Sequence, residues 1–404
     1  MNAPTAGSGR LFVAATALAL CLVARPAYGA SVQQITSFGS NPTGIGMYLY
    51  TPSNVVSHPP ILVGVHACHG KGTDVCTQGS PFAAQADKYG FLLVCPSAVS
   101  SDGCWDVHSN ADLTHNNGGD AAGIISMVNY VVQNKNGDAT KVYVAGHSSG
   151  GMMTNVLAGS YPDVFKAGAA FAGVPFACFA QGSVDSLGWN SSCASGNVSM
   201  TGMQWGNLVR AAYPGYTGPR PRMQLWHGTA DATVNVNNFK EEIKEWTNVL
   251  GVSETPTSTE NNAIQSGWIR TRYTDSCGGA QVEAIQETGQ PHNLVVDMAD
   301  AVKFFGLDGS NPGTCASGAG GSGGAPGVGG GAAGRSGTGG SAGAGGRSAT
   351  GGGPGGSGGA TSGAAGRAGG TGGTVSSSGG TVGTGGATST GGSSQLGTGG
   401  AVAT

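Results

Sequence analysis

Ser148 stands in Gly146-His147-Ser148-Ser149-Gly150, directly after the apolar run Val142-Tyr143-Val144-Ala145 and before the helix-like stretch Met152 to Leu157. A strand that turns sharply into a helix lifts a serine hydroxyl above the end of a sheet, and glycines flank it where a Cβ would not fit the bend. Such a serine suits acyl transfer. The same pattern recurs at Gly320 to Gly324 and Gly355 to Gly359, as composition alone produces in a chain with 77 glycines. The surrounding strand and helix therefore carry the assignment to Ser148.

A serine hydroxyl attacks only when a histidine takes its proton, and that histidine needs a carboxylate to fix its tautomer and stabilise its charge. On a sheet of this type the order along the chain is Ser, then Asp or Glu, then His. Of the eight histidines only His227 and His292 follow Ser148. Asp231 lies at the tip of a loop after the strand-like Met223 to Trp226, and only His292 lies beyond it. The expected triad is Ser148, Asp231 and His292.

The tetrahedral intermediate needs amide donors for its oxyanion. One is expected from Ser149, the residue after the nucleophile, and the other from the loop Val65 to Gly70, with Cys68 the first choice and Ala67 the second. His66, Cys68 and His69 also invite a metal reading, which loses weight because no fourth ligand is apparent. Trp105, in Gly103-Cys104-Trp105-Asp106, either lines the acyl pocket or a sugar face or packs under its loop. Together with His147 and Trp226 it completes the expected substrate-binding set. No metal site is implied.

These groups need a scaffold. Apolar runs at Ile61 to Val65, Phe91 to Val94, Val142 to Ala145, Ala167 to Val174, Met223 to Trp226 and Val282 to Ile285 read as strands covered on both faces. Helices are expected over Pro81 to Lys88, Ala121 to Asn134, Met152 to Tyr161, Phe239 to Val249 and Asp297 to Phe305. Strands alternating with helices make an α/β protein with a mostly parallel, doubly covered sheet, for which the α/β-hydrolase fold is the natural candidate. Ser186 to Tyr216, rich in Gly, Ser and Asn, reads as a loop-rich insertion near the site.

The ends of the chain differ from this body. Residues 1 to 29 have the Arg10 charge, the apolar Leu11 to Ala24 and a small-residue end of a secretory signal, with cleavage expected after Gly29. Residues 311 to 404 hold 40 glycines in 94 positions and no aromatic residue. That composition predicts a disordered Gly/Ser/Thr-rich tail, read as a linker or a tether at the cell surface. Between them, residues 30 to 310 suit one domain. It carries 13 basic and 21 acidic residues, net −8, which disfavours nucleic acid as a partner and suits a neutral polymer or small ester. No segment is long and apolar enough to span a membrane, and a secreted monomer is expected. Export and eight remaining cysteines predict disulfides. Cys68 and Cys104, on two loops expected to border the site, are the pair singled out, and a bridge from Cys315 back to Cys277 or another body cysteine is the one reservation on a tail independent of the body.

His66-Ala67-Cys68, Gly103 to Asp106, Leu113 to Asn116, Gly119-Asp120, Ser148 to Gly150 with Met152 to Asn155, Tyr161-Pro162, Ala172 to Pro175, Trp226 to Asp231, Glu241 to Asn248 and Ser266 to Trp268 resemble secreted acetylxylan esterases of carbohydrate esterase family one. That family is similar to feruloyl esterases and extracellular poly(3-hydroxybutyrate) depolymerases. The resemblance runs from about Thr36 to Leu307 and implies an α/β-hydrolase fold, no cofactor and the same three triad residues. His147 departs from the Thr or Leu more usual there. Three readings follow: an esterase acting on acetylated xylan, a feruloyl esterase or polyester depolymerase, and an inactive binding module displayed on a tether.

Overall fold

The computed structural model describes Met1 and residues 29 to 313. The expected signal segment up to Tyr28, the tail from Thr314 and the pairing of Cys315 lie outside the described residues. In chain order the elements are β1 (Ser31–Ile35), β2 (Gly46–Thr51), β3 (Ile61–Val65), α1 (Gly72–Cys76), α2 (Pro81–Tyr89), β4 (Leu92–Ser97), α3 (Gly119–Lys135), β5 (Val142–His147), α4 (Ser149–Ser160) and β6 (Ala167–Phe171). They continue with α5 (Ser191–Ala194), α6 (Gly202–Ala212), β7 (Arg222–Gly228), α7 (Asn237–Leu250), β8 (Ser258–Asn261), β9 (Ile269–Thr274), β10 (Ala280–Glu287) and α8 (Met298–Phe305).

One sheet runs β1-β2-β4-β3-β5-β6-β7-β10-β9-β8. Its middle, from β4 to β10, is parallel throughout, and the pairs at either edge are antiparallel. The alternation of side chains along β3 explains why the strand is apolar at every position. Ile61, Val63 and Val65 join the core under α3 and α4, with Met127, Val128, Met153 and Leu157. Leu62 faces the other way, into the layer built by α2 and α8 with Phe82, Ala86, Val302 and Phe305. Each such side chain contributes roughly 1.5–3 kcal/mol on leaving water. This is the α/β-hydrolase arrangement.

All six expected strands and all five expected helices are present. Two readings need correction. Ser186 to Tyr216 contains α5 and α6, and α6 is fixed by a Thr201–Gln204 capping box and by burial of Trp205 and Val209. The strand expected to reach Val174 stops at Phe171, because Ala172 turns to φ 49°.

Candidate active site

β3, β5, β7 and β10 run the same way, so the loops at their carboxyl ends gather on one rim. Ser148 follows β5 with φ 57° and ψ −122°, a conformation that costs an L-residue about 1–3 kcal/mol. Its amide donates to the Phe171 carbonyl (2.8 Å), which helps to hold it there. The glycines around it are explained by contact. A Cβ on Gly146 would strike the Gly150 carbonyl, one on Gly150 the Val65 carbonyl, and one on Gly151 the Phe171 carbonyl at 2.6 Å. α4 thus starts pressed against the ends of β3 and β6.

His292 lies on the loop after β10 and Asp231 on the loop after β7. His292 Nε2 is 2.8 Å from Ser148 Oγ, and His292 Nδ1 is 2.7 Å from Asp231 Oδ2. This network assigns the proton to Nδ1, donated to the carboxylate, and leaves Nε2 to accept from the serine hydroxyl. Asp231 Oδ1 accepts from the amides of Thr233 (2.9 Å) and Val234 (2.8 Å). Burial would raise the Asp231 carboxyl, but hydrogen bonds from His227 and His292 and from the Val234 amide outweigh it and hold the group well below the usual carboxylate range.

Two residues outside the expected set support this pair. His227, fully buried at the end of β7, places Nε2 2.8 Å from the Val234 carbonyl and 3.4 Å from Asp231 Oδ2. Glu287 ends β10 beside it. Its carbonyl accepts from the amides of Thr229 (3.1 Å) and Gln290 (3.2 Å), and its carboxyl accepts from the Val295 amide (3.1 Å). Ala230 N also donates to the Gln290 carbonyl (3.0 Å), and Gly289 N to Thr229 Oγ1 (2.8 Å). Burial pushes the Glu287 carboxyl up to about 7.

Cys68 and Ser149 line one cavity of about 460 Å³, together with Met152, Phe179, Leu187 and Trp189. Cys68 is bonded to Cys104, the pairing expected from their two loops, and Cys76–Cys95 and Cys178–Cys193 are further disulfides. Cys277 is disulfide-bonded as well. With its sulfur in that bridge Cys68 is no metal ligand. His66 is also committed: Nε2 accepts from the Ala98 amide (3.0 Å), and Nδ1 is 2.7 Å from the Ala67 carbonyl.

The expected substrate-binding residues divide. Trp105 lines the cavity while its Nε1 donates to the His66 carbonyl (2.9 Å), so it both packs under the loop and faces the space. Trp226 does not. It is fully buried, stacked on Phe171 (5.1 Å between ring centroids), with Nε1 donating to Gln224 Oε1, because its place in β7 turns it into the core on the α8 side. His147 does not line the cavity either. Its Nε2 is 2.8 Å from the His292 carbonyl, so the ring supports the histidine loop. Burial lowers its pKa, and the carbonyl offsets part of that. Phe179, Leu187 and Trp189 were missed, since they lie in or beside a segment whose composition reads only as loop.

Residues 45 to 243 match the family model described as esterase PHB depolymerase. The chain is 43% identical to acetylxylan esterase A of Aspergillus ficuum over 69% of this chain and 90% of that one. It is 42% identical to feruloyl esterase B of Talaromyces stipitatus, over 70% and 77% of the two chains. It belongs to the acetylxylan esterase family. The solved acetyl xylan esterase from Aspergillus awamori superposes on it with TM-score 0.65 and 41% identity, over 69% of this chain and 99% of that one. The protein is therefore a carboxylic ester hydrolase of α/β-hydrolase fold. Among the described residues no helix is long and apolar enough to cross a membrane.

Proposed function

We propose that this esterase removes acetyl groups from xylan, with Ser148 as nucleophile, His292 as general base and then acid, and Asp231 as the carboxylate that orients His292. The observation that carries the chemistry is the continuous line Ser148 Oγ to His292 Nε2, and His292 Nδ1 to Asp231. Ser148 Oγ adds to the ester carbonyl carbon while its proton passes to His292 Nε2, and Asp231 stabilises the imidazolium. The amides of Cys68 and Ser149, at the neighbouring ends of β3 and β5, receive the oxyanion. Collapse gives the sugar hydroxyl its proton back from His292 and leaves an acetyl-serine. Water, deprotonated by the same histidine, adds to that ester and releases acetate.

Substrate choice is supported by the acetylxylan esterases among the relatives and by a net-negative body that suits a neutral polymer. A secreted enzyme, with residues 1 to 29 as signal, 30 to 310 as the catalytic domain and 311 to 404 as a surface tether, fits that substrate. The related feruloyl esterase keeps a second reading in view. One enzyme preparation tested on acetylated xylan, methyl ferulate and a hydroxybutyrate polyester decides between them. Acetate release is expected to dominate, and faster ferulate release would replace the first reading with the second.

A further inference from the structure

α3 has only two charged residues, Asp120 in its first turn and Lys135 in its last. Between them Ser126, Asn129, Tyr130, Gln133 and Asn134 recur at intervals of three and four and form one stripe along the helix. The solvated side of a helix carries charged and polar residues, and here it carries polar ones alone. Across from it runs Ser37 to Ser40, and the two enclose a groove of about 470 Å³. Phe38 is buried in the main core, with Tyr130 packed against that core, so the aromatic part of the groove is fixed.

The chemistry of this lining is specific. Hydroxyls and primary amides both donate and accept hydrogen bonds, as sugar hydroxyls do, and the rings of Phe38 and Tyr130 add apolar surface among them. No lining residue carries a charge with which to hold an ion. The loop and the helix that form the groove also reach the cavity beside Ser149. Thr43 and Asp120 line that cavity; Thr43 belongs to the same loop as Ser37 to Ser40, and Asp120 precedes Ser126 by six residues, about 9 Å along the helix. The loop lies flush on α3, since a Cβ on Gly123 would come within 2.8 Å of Ile45. Asn41 fixes its curve by donating from Nδ2 to the Ile45 carbonyl (2.9 Å).

We propose that this groove is a second binding site for neutral polysaccharide, holding a stretch of the same xylan chain whose acetyl ester lies at Ser148. It rests on the xylan reading above for the identity of the polymer.

The test uses the full-length protein and the double variant Asn129→Ala/Gln133→Ala. Both positions are exposed and alanine is the stronger helix former, so the fold is kept. In native gels containing soluble, unsubstituted xylan, the double variant should be retarded about fivefold less than the parent, as loss of one or two hydrogen bonds would give. Its KM on acetylated xylan should rise by a similar factor, while its rate on 4-nitrophenyl acetate stays unchanged. Equal retardation with equal KM on the polymer would overturn the proposal. Absence of acetate release from acetylated xylan by the parent would remove the xylan reading on its own, and retardation in the gel would still decide the groove.

Discussion

Ser148 holds its position through steric exclusion as much as through hydrogen bonding. Ser148→Ala is expected to fold with unchanged melting temperature and to lose at least about three orders of magnitude in ester hydrolysis; labelling of any other residue by a fluorophosphonate would sink the assignment. Gly150 tests the support rather than the chemistry. A methyl group there meets the Val65 carbonyl, so Gly150→Ala should destabilise the protein by roughly 1–3 kcal/mol in urea unfolding and displace the proposed oxyanion donors, lowering kcat more than it raises KM. That Ser148, Asp231 and His292 meet was legible because their order along the chain and the strands before them constrain the choice. Trp226 was misread because the facing of a strand residue depends on register, which a continuous apolar run does not reveal. His227 and Glu287 were invisible for a related reason, since their value comes from which loop amides and carbonyls they meet.

At the level of elements, the loop after β3 is shaped by Cys68–Cys104, a bridge that closes 36 residues. Chain entropy puts the stabilisation from a loop of that length at about 4 kcal/mol. Replacing both cysteines by serine should lower stability by up to that amount in denaturant titration and reduce kcat, because the bridge holds the loop that carries the proposed oxyanion amide of Cys68. A double variant with full stability and full rate would show that the bridge is incidental. The parallel centre of the sheet was readable from its apolar runs, and the periphery was not. β1 has four exposed residues and β8 is exposed throughout, so neither has the alternation that marks a half-buried strand. α6 was hidden by the Gly, Ser and Asn around it, although its Thr201–Gln204 box is a sequence signal.

The whole molecule carries a buried acid in its main body that catalysis does not use. Glu242 of α7 is fully buried; its Oε1 accepts from Asn155 Nδ2 (2.6 Å), and Asn155 Oδ1 in turn accepts from Trp246 Nε1 (2.9 Å), which ties α7 to the helix behind Ser148. Burial pushes the Glu242 carboxyl up to about 8, and Glu245 beside it is raised for the same reason. The folded protein keeps this proton after the unfolded chain, at about 4.5, has released it. Stability contributed by the neutral form is therefore full below pH 4.5 and declines as pH rises toward 8, by about 1.4 kcal/mol per unit, or roughly 4 kcal/mol between pH 5 and 8. Glu242→Gln should flatten that slope and raise the melting temperature at pH 8. An unchanged slope would mean that the carboxyl titrates normally.

The cross-links at Glu287 have a consequence for partial unfolding. Because its backbone and side chain fasten the loops bearing Asp231 and His292 to each other, those loops should open as a single cooperative unit, distinct from the turn that holds Ser148. Amide exchange at Ala230, Gln290 and Val295 should share one opening free energy below that of β5. Mild heating should then separate the serine from an acid–base pair that stays together, so the enzyme would lose activity before it loses its sheet and regain it on cooling without refolding.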